Sequence, residues 1–195
     1  MEKLIQVSSS LSHSSAKVAY AAIGSFNGAF LKLSLLVLLS SVSSWAAEAT
    51  VNPAPKVDRI LVLKSDRTLQ LLIGGKVFRT YKVALGSQPI GPKEQQGDHK
   101  TPEGHYVIAS RNHQSNFHLA LRMSYPNASD RARAKKLGIK PGGDIMIHGI
   151  GNKYGWLGPL HRKTDWTDGC IAVTNSEIEE IWSLVRVGTA VEIRP

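Results

Sequence analysis

Cys170 is the single cysteine of a 195-residue chain, set between Gly169 and Ile171, after the polar run Lys163–Asp168 and before the apolar Ile171–Val173. A thiol with its ordinary pKa of about 8.5 becomes a good nucleophile only when a base or a cation helps it lose its proton. Two upstream histidines can act as that base, His148 and His161. His148 closes the run Asp144–Ile147, which predicts a strand, whereas His161 follows Gly158-Pro159 in a stretch that reads as a loop. A proton-transfer pair must hold hydrogen-bond geometry, and strand ends hold it better than loops, so His148 is the expected base. The glycine beside the cysteine lets backbone come close to a substrate.

Rival chemistries lack their spacing. His99, His105, His113 and His118 are separated by six, eight and five residues, which puts no two on one helical face, and neither HExxH nor a CxxC pair occurs. No metal is therefore expected. A serine acyl-enzyme would call for a GxSxG elbow, which is missing. A papain-like peptidase places its cysteine early and its histidine far downstream, the reverse of the order here. A lone cysteine makes no internal disulfide, and in an oxidising compartment it is a liability unless it is used.

The front of the chain predicts export. Leu33–Val42 is an apolar run of ten residues after Lys32, followed by the small-residue stretch Ser43–Ala49. Residues 1–46 read as a signal peptide with a long polar n-region, cleaved after Ala46 or Ala49. A spanning helix needs roughly 20 apolar residues, so membrane contact is expected only through this segment, if it stays uncleaved. Residues 47–56, with Pro53 and Pro55, read as a linker, and 57–195 as one domain. The chain carries +9; three lysines and one glutamate lie in residues 1–46, leaving +7 on the remainder. Such a charge attracts polyanions, but no recognition helix, RNP pattern or zinc-finger spacing accompanies it, and nucleic acid is not an expected partner.

The elements that must position Cys170 and His148 are mostly strands. Arg59–Lys64, Thr68–Ile73 and Lys76–Leu85 are β-rich runs, the last two joined by Gly74-Gly75, a hairpin signal. In the third, Val77, Tyr81, Val83 and Leu85 are expected to share a core face. Gly86–Thr101 reads as a long functional loop. Strands resume at His105–Ser110 and Leu119–Ser124, and Ala128–Leu137 predicts a polar helix capped by Asn127 or Ser129. Thr174 and Glu177 have the capping-box pattern, before an apolar stripe of Ile178, Ile181, Trp182 and Val185. That helix is expected to stop at Gly188, ahead of a last strand at Ala190–Ile193.

Ile147-His148-Gly149, the Gly169-Cys170 step with its aliphatic run and Asn175, the segment Gly97-Asp98-His99-Lys100-Thr101-Pro102-Glu103-Gly104-His105-Tyr106, and Pro141-Gly142-Gly143-Asp144 together resemble the L,D-transpeptidase catalytic domain over roughly Val57–Ile193. The resemblance implies a mainly β fold, a mixed-sheet β-sandwich with two or more helices. It also implies a cofactor-free cysteine acyl-transferase of the periplasm or cell envelope, acting on peptidoglycan stem peptides in wall cross-linking, remodelling and cell shape. Cys170 would form a thioester, His148 would take the thiol proton, and the Gly149 carbonyl would fix the histidine tautomer. The Gly169 and Cys170 amides would hold the oxyanion.

Two departures stand out. The family's usual Ser/Thr-His-Gly-Cys is Thr167-Asp168-Gly169-Cys170 here, and 21 residues separate His148 from Cys170, more than is common. Asp168, Thr167, His161 and Trp166 are expected to bind substrate or position the loop. For Asp168 the favoured expectation is a structural one, accepting hydrogen bonds from a backbone amide, Lys163 or Arg162; the alternative is contact with a stem-peptide ammonium. An L,D-carboxypeptidase or endopeptidase acting on wall peptides or wall-attached protein is the second functional reading. A noncatalytic wall-binding module is the third.

Overall fold

In the computed structural model, which describes residues 56–195, the expected runs become β1 (Arg59–Leu63), β2 (Thr68–Ile73), β3 (Lys76–Lys82), β4 (Gly104–Ser115), β5 (His118–Met123), α1 (Ala128–Leu137), β6 (Met146–His148), β7 (Ile171–Ala172), α2 (Asn175–Leu184) and β8 (Ala190–Arg194). The expected signal peptide, and all of the expected linker except Lys56, lie outside the described residues.

The strands form one mixed sheet of eight in the order β3-β2-β1-β8-β4-β5-β6-β7. Only β1–β8 and β6–β7 are parallel pairs. β4 joins two halves of the sheet, pairing with β8 through Gly104–Val107 and with β5 from Ile108 to Ser115. Beyond β3 the chain returns to the far edge, where Ala84 and Ala172 exchange hydrogen bonds of 2.9 and 2.8 Å. Apolar residues from both halves, among them Val62, Leu69, Met123, Ile147 and Ile171, meet in one core with Ile178 and Ile181 of α2. The mainly β, mixed-sheet expectation holds.

Both helices start as the sequence predicts. Asn127 caps α1, its side chain accepting from the Asp130 amide while Asp130 accepts from the Asn127 amide, both at 3.0 Å. Thr174 and Glu177 make the same reciprocal pair at α2. That helix stops at Leu184 with Val185 as its cap, earlier than expected, and Gly188 (φ +87°) instead turns the chain into β8. Val77 is also misplaced by the alternation argument, being 54% exposed. The β2–β3 register shifts between Leu71 and Leu72, which face Arg79 and Val77, so Phe78 is an extra residue that reverses the faces before it. β4 runs five residues past the expected Ser110, because Arg111–Gln114 are exposed and carry no alternation to read.

The Gly86–Thr101 loop has almost no ladder pairing, yet it is fastened by two buried lysines. Lys64, 2% exposed, gives its Nζ to the carbonyls of Gly91 (2.6 Å) and Thr101 (3.0 Å) and to Glu103 Oε1 (2.7 Å). Lys93 Nζ reaches Asp98 Oδ1 at 2.6 Å. Asp98 also accepts from the amides of Glu94, Gln95 and Lys100. Burial opposes its ionisation, but Lys93 and these amides outweigh burial and hold its pKa at about 2.

Candidate active site

The parallel pairing of β6 with β7 sets Ile147 against Ile171 and His148 against Ala172. Ile147 and Ile171 are fully buried in the core. Since successive side chains alternate, His148, one residue past Ile147, and Cys170, one residue before Ile171, emerge on the other face together. Two side chains far apart in sequence thus share one face of a strand pair, two residues apart along it.

His148 is 3% exposed, and its Nδ1 lies 2.6 Å from the Gly149 carbonyl. A carbonyl only accepts, so Nδ1 carries the proton and Nε2 keeps a lone pair. Burial lowers the pKa of this histidine, and the Gly149 carbonyl acts in the opposite sense. The ring is wedged by Phe117, 4.5 Å between centroids, and by the edge of Trp166 at 5.9 Å. Gly149 cannot be larger, because a Cβ there would stand 2.6 Å from Asn175 Oδ1, which accepts the Ile150 amide at 2.8 Å.

Cys170 is half-buried, its Sγ–H donating to the Asp144 carbonyl at 3.5 Å. Burial pushes the thiol pKa up, the Met146 amide beside the sulfur pulls it down, and the charges of Asp168 and Asp144 add to the rise. The resting group is therefore a thiol that needs a base, not a standing thiolate.

Thr167 builds the turn that presents the sulfur. Its backbone is tied to Leu85 and Ser87, and its buried hydroxyl accepts from the Gly169 amide at 3.1 Å while donating to the Cys170 carbonyl at 2.7 Å. Gly169 has φ +115°, and a Cβ there would meet the Lys100 carbonyl at 2.4 Å. The expected oxyanion role of Gly169 is corrected by this geometry, because its amide is already taken by Thr167. The Cys170 amide has no partner among the described hydrogen bonds.

Asp168 also differs from expectation. Its Oδ1 meets His99 Nδ1 at 2.7 Å, with the carboxylate side chain 90% exposed. Neither Lys163 nor Arg162 is its partner; Arg162 pairs with Glu177 at the start of α2. His161 is not in an open loop but in 3-10 turns spanning Gly155–Lys163, broken at Gly158, and it is 6% exposed. Trp166 Nε1–H donates to its Nδ1 at 3.3 Å. Burial, with Arg162 assisting, lowers the His161 pKa to about 4. His161 therefore supports Trp166, which in turn walls His148. Among the residues the sequence did not single out, Phe117 had no motif to mark it. His99 lay inside the Gly97–Tyr106 segment with nothing to show its partner.

Two clefts flank this face. One, of about 360 Å³, is polar and lined by Lys93, Gln96, His99, Gly142, Asp144 and Asp168 among others. The other, of about 420 Å³, is apolar and lined chiefly by Phe117, Ile150, Tyr154, Leu157, Leu160 and Trp166.

The sequence pattern of the L,D-transpeptidase catalytic domain (YkuD) family matches residues 57–193. The chain is similar to the L,D-transpeptidase-family protein YafK of Escherichia coli (strain K12), 34% identical over 134 residues, covering 65% of this chain and 46% of that protein. Its fold is similar to the crystal structure of the helical cell shape determining protein Pgp2 from Campylobacter jejuni, with a TM-score of 0.54 and 27% identity over 71% of this chain and 47% of that one. The chain thus spans about half the length of each of these relatives.

Proposed function

The chain belongs to the L,D-transpeptidase catalytic-domain family, and on that premise we propose that it is an exported cysteine acyl-transferase acting on peptidoglycan stem peptides. Its place would be the periplasm or cell envelope, in wall cross-linking or remodelling and hence cell shape. The observation that carries the reading is the tautomer of His148: with Nδ1 donating to Gly149, Nε2 is left as a base on the face it shares with Cys170.

In the first half-reaction the Cys170 proton passes to His148 Nε2 and Sγ bonds to an amide carbonyl carbon of the stem peptide. The oxyanion faces the Cys170 amide. As it collapses, the C–N bond breaks and the leaving amine takes the proton from Nε2, leaving a thioester. In the second half-reaction an acceptor amine gives a proton to Nε2 and bonds to the same carbon. The C–S bond then breaks and sulfur recovers its proton.

Purified full-length chain incubated with reduced thiol and tetrapeptide muropeptides should yield cross-linked masses, and the Cys170→Ala chain none. Products shortened by hydrolysis alone, with no amine transfer, would assign the protein to the carboxypeptidase or endopeptidase class instead.

A further inference from the structure

The apolar cavity shares Phe117 and Trp166 with the packing around His148, so anything that fills it lies against the rings that hold the base. No carboxylate, lysine or arginine lines it. Apart from the hydroxyl of Tyr154 and the indole N–H of Trp166, its polar groups belong to Thr164 and His161, and burial lowers the pKa of the latter to about 4. Because Trp166 donates to His161 Nδ1, the neutral ring carries its proton on Nε2, which is buried with no acceptor among the described residues. Tyr154 and Leu160 form an exposed apolar rim, with Trp156 exposed in the same segment. The cleft on the other side is opposite in character, with Lys93, His99, Asp144 and Asp168 in its wall.

We infer that this cavity is the subsite of the second reactant, and that it selects an amino acid or peptide with a large apolar side chain. The assignment of the cavity to an acyl acceptor rests on the function proposed above; its preference for apolar ligands does not. Its volume, about 420 Å³, lies in the range that holds small ligands and accommodates an aromatic side chain. A charged side chain entering it would lose hydration without finding a counter-charge.

The test uses full-length chain carrying Cys170→Ala, so that nothing turns over, titrated with glycyl-phenylalanine and with glycyl-lysine. The readout is the indole N–H signal of Trp166, assigned with Trp166→Phe. Glycyl-phenylalanine should move it at concentrations about tenfold or more below those glycyl-lysine needs. Leu160→Glu and, separately, Tyr154→Lys put charge on the exposed rim and should each abolish the preference. Equal response to the two dipeptides, or a preference that survives both rim charges in folded protein, would overturn the inference. Turnover is read apart: a wild-type chain that shows the preference yet leaves muropeptides untouched would keep the subsite's specificity and remove the acyl-transfer reading.

Discussion

Asp168 and His99, 69 residues apart, meet at 2.7 Å beside the cysteine. The contact ties the turn before the nucleophile to the end of the long Gly86–Thr101 loop.

Replacing that carboxylate should ease ionisation of the thiol. Asp168 is among the charges that raise the Cys170 pKa, so in Asp168→Asn the alkylation of Cys170 by iodoacetamide should reach its midpoint at lower pH than in the wild type. Stability should change by less than about 1 kcal/mol, since the pair is exposed. An alkylation midpoint that stays put or rises would show that Asp168 has no electrostatic hold on the sulfur.

Thr167 positions the nucleophile through one hydroxyl. Thr167→Val keeps the shape but strands the Gly169 amide and the Cys170 carbonyl, at a cost of about 1–3 kcal/mol in unfolding free energy. Turnover number should fall much more than KM changes, and Thr167→Ser should recover both activity and stability. A valine variant with wild-type turnover would mean that the turn holds without this hydroxyl.

The lysine under the loop makes a separate prediction. Lys64→Met leaves Glu103 and two carbonyls without their donor, and should cost about 1–3 kcal/mol. Limited proteolysis should then cut within residues 86–101 before anywhere else in the domain. Unchanged protection of that stretch would show that Lys93 and Asp98 are sufficient to hold it.

Acid should weaken the fold through the two buried histidines. Both have pKa values below the ordinary 6.5, His161 at about 4, so below pH 6.5 the unfolded chain binds protons that the native one refuses. Their contribution is complete above 6.5 and shrinks as pH drops toward 4. Thermal midpoints should therefore fall over that window, and less so in His161→Phe. The acid limb of kcat/KM should lie below 6.5, because His148 stays a free base there.

What could be read from the sequence was local or periodic. The capping box at Thr174 and Glu177, the strand ending at His148, and the hairpin at Gly74-Gly75 (φ +57° and +76°) all follow from rules spanning a few residues. Cys170 was visible because it is the only cysteine. The His99–Asp168 contact was not visible, since both residues lie in irregular segments whose meeting depends on the whole sheet. The Gly169 amide was misassigned because its partner depends on the dihedral angles of one turn. The turns that bury His161 were not visible, because 3-10 turns interrupted at Gly158 show no helical period.

The central claim, that Cys170 carries the acyl group after losing its proton to His148, is tested most directly by trapping the acyl-enzyme. Wild-type chain mixed with a tetrapeptide muropeptide and no added acceptor, quenched in acid within seconds, should gain the mass of the acyl donor on the peptide containing Cys170. In His148→Ala that adduct should form at least about 100-fold more slowly, and in His161→Ala at close to the wild-type rate. An adduct on any other residue, or turnover of the donor by the Cys170→Ala chain, would contradict the account.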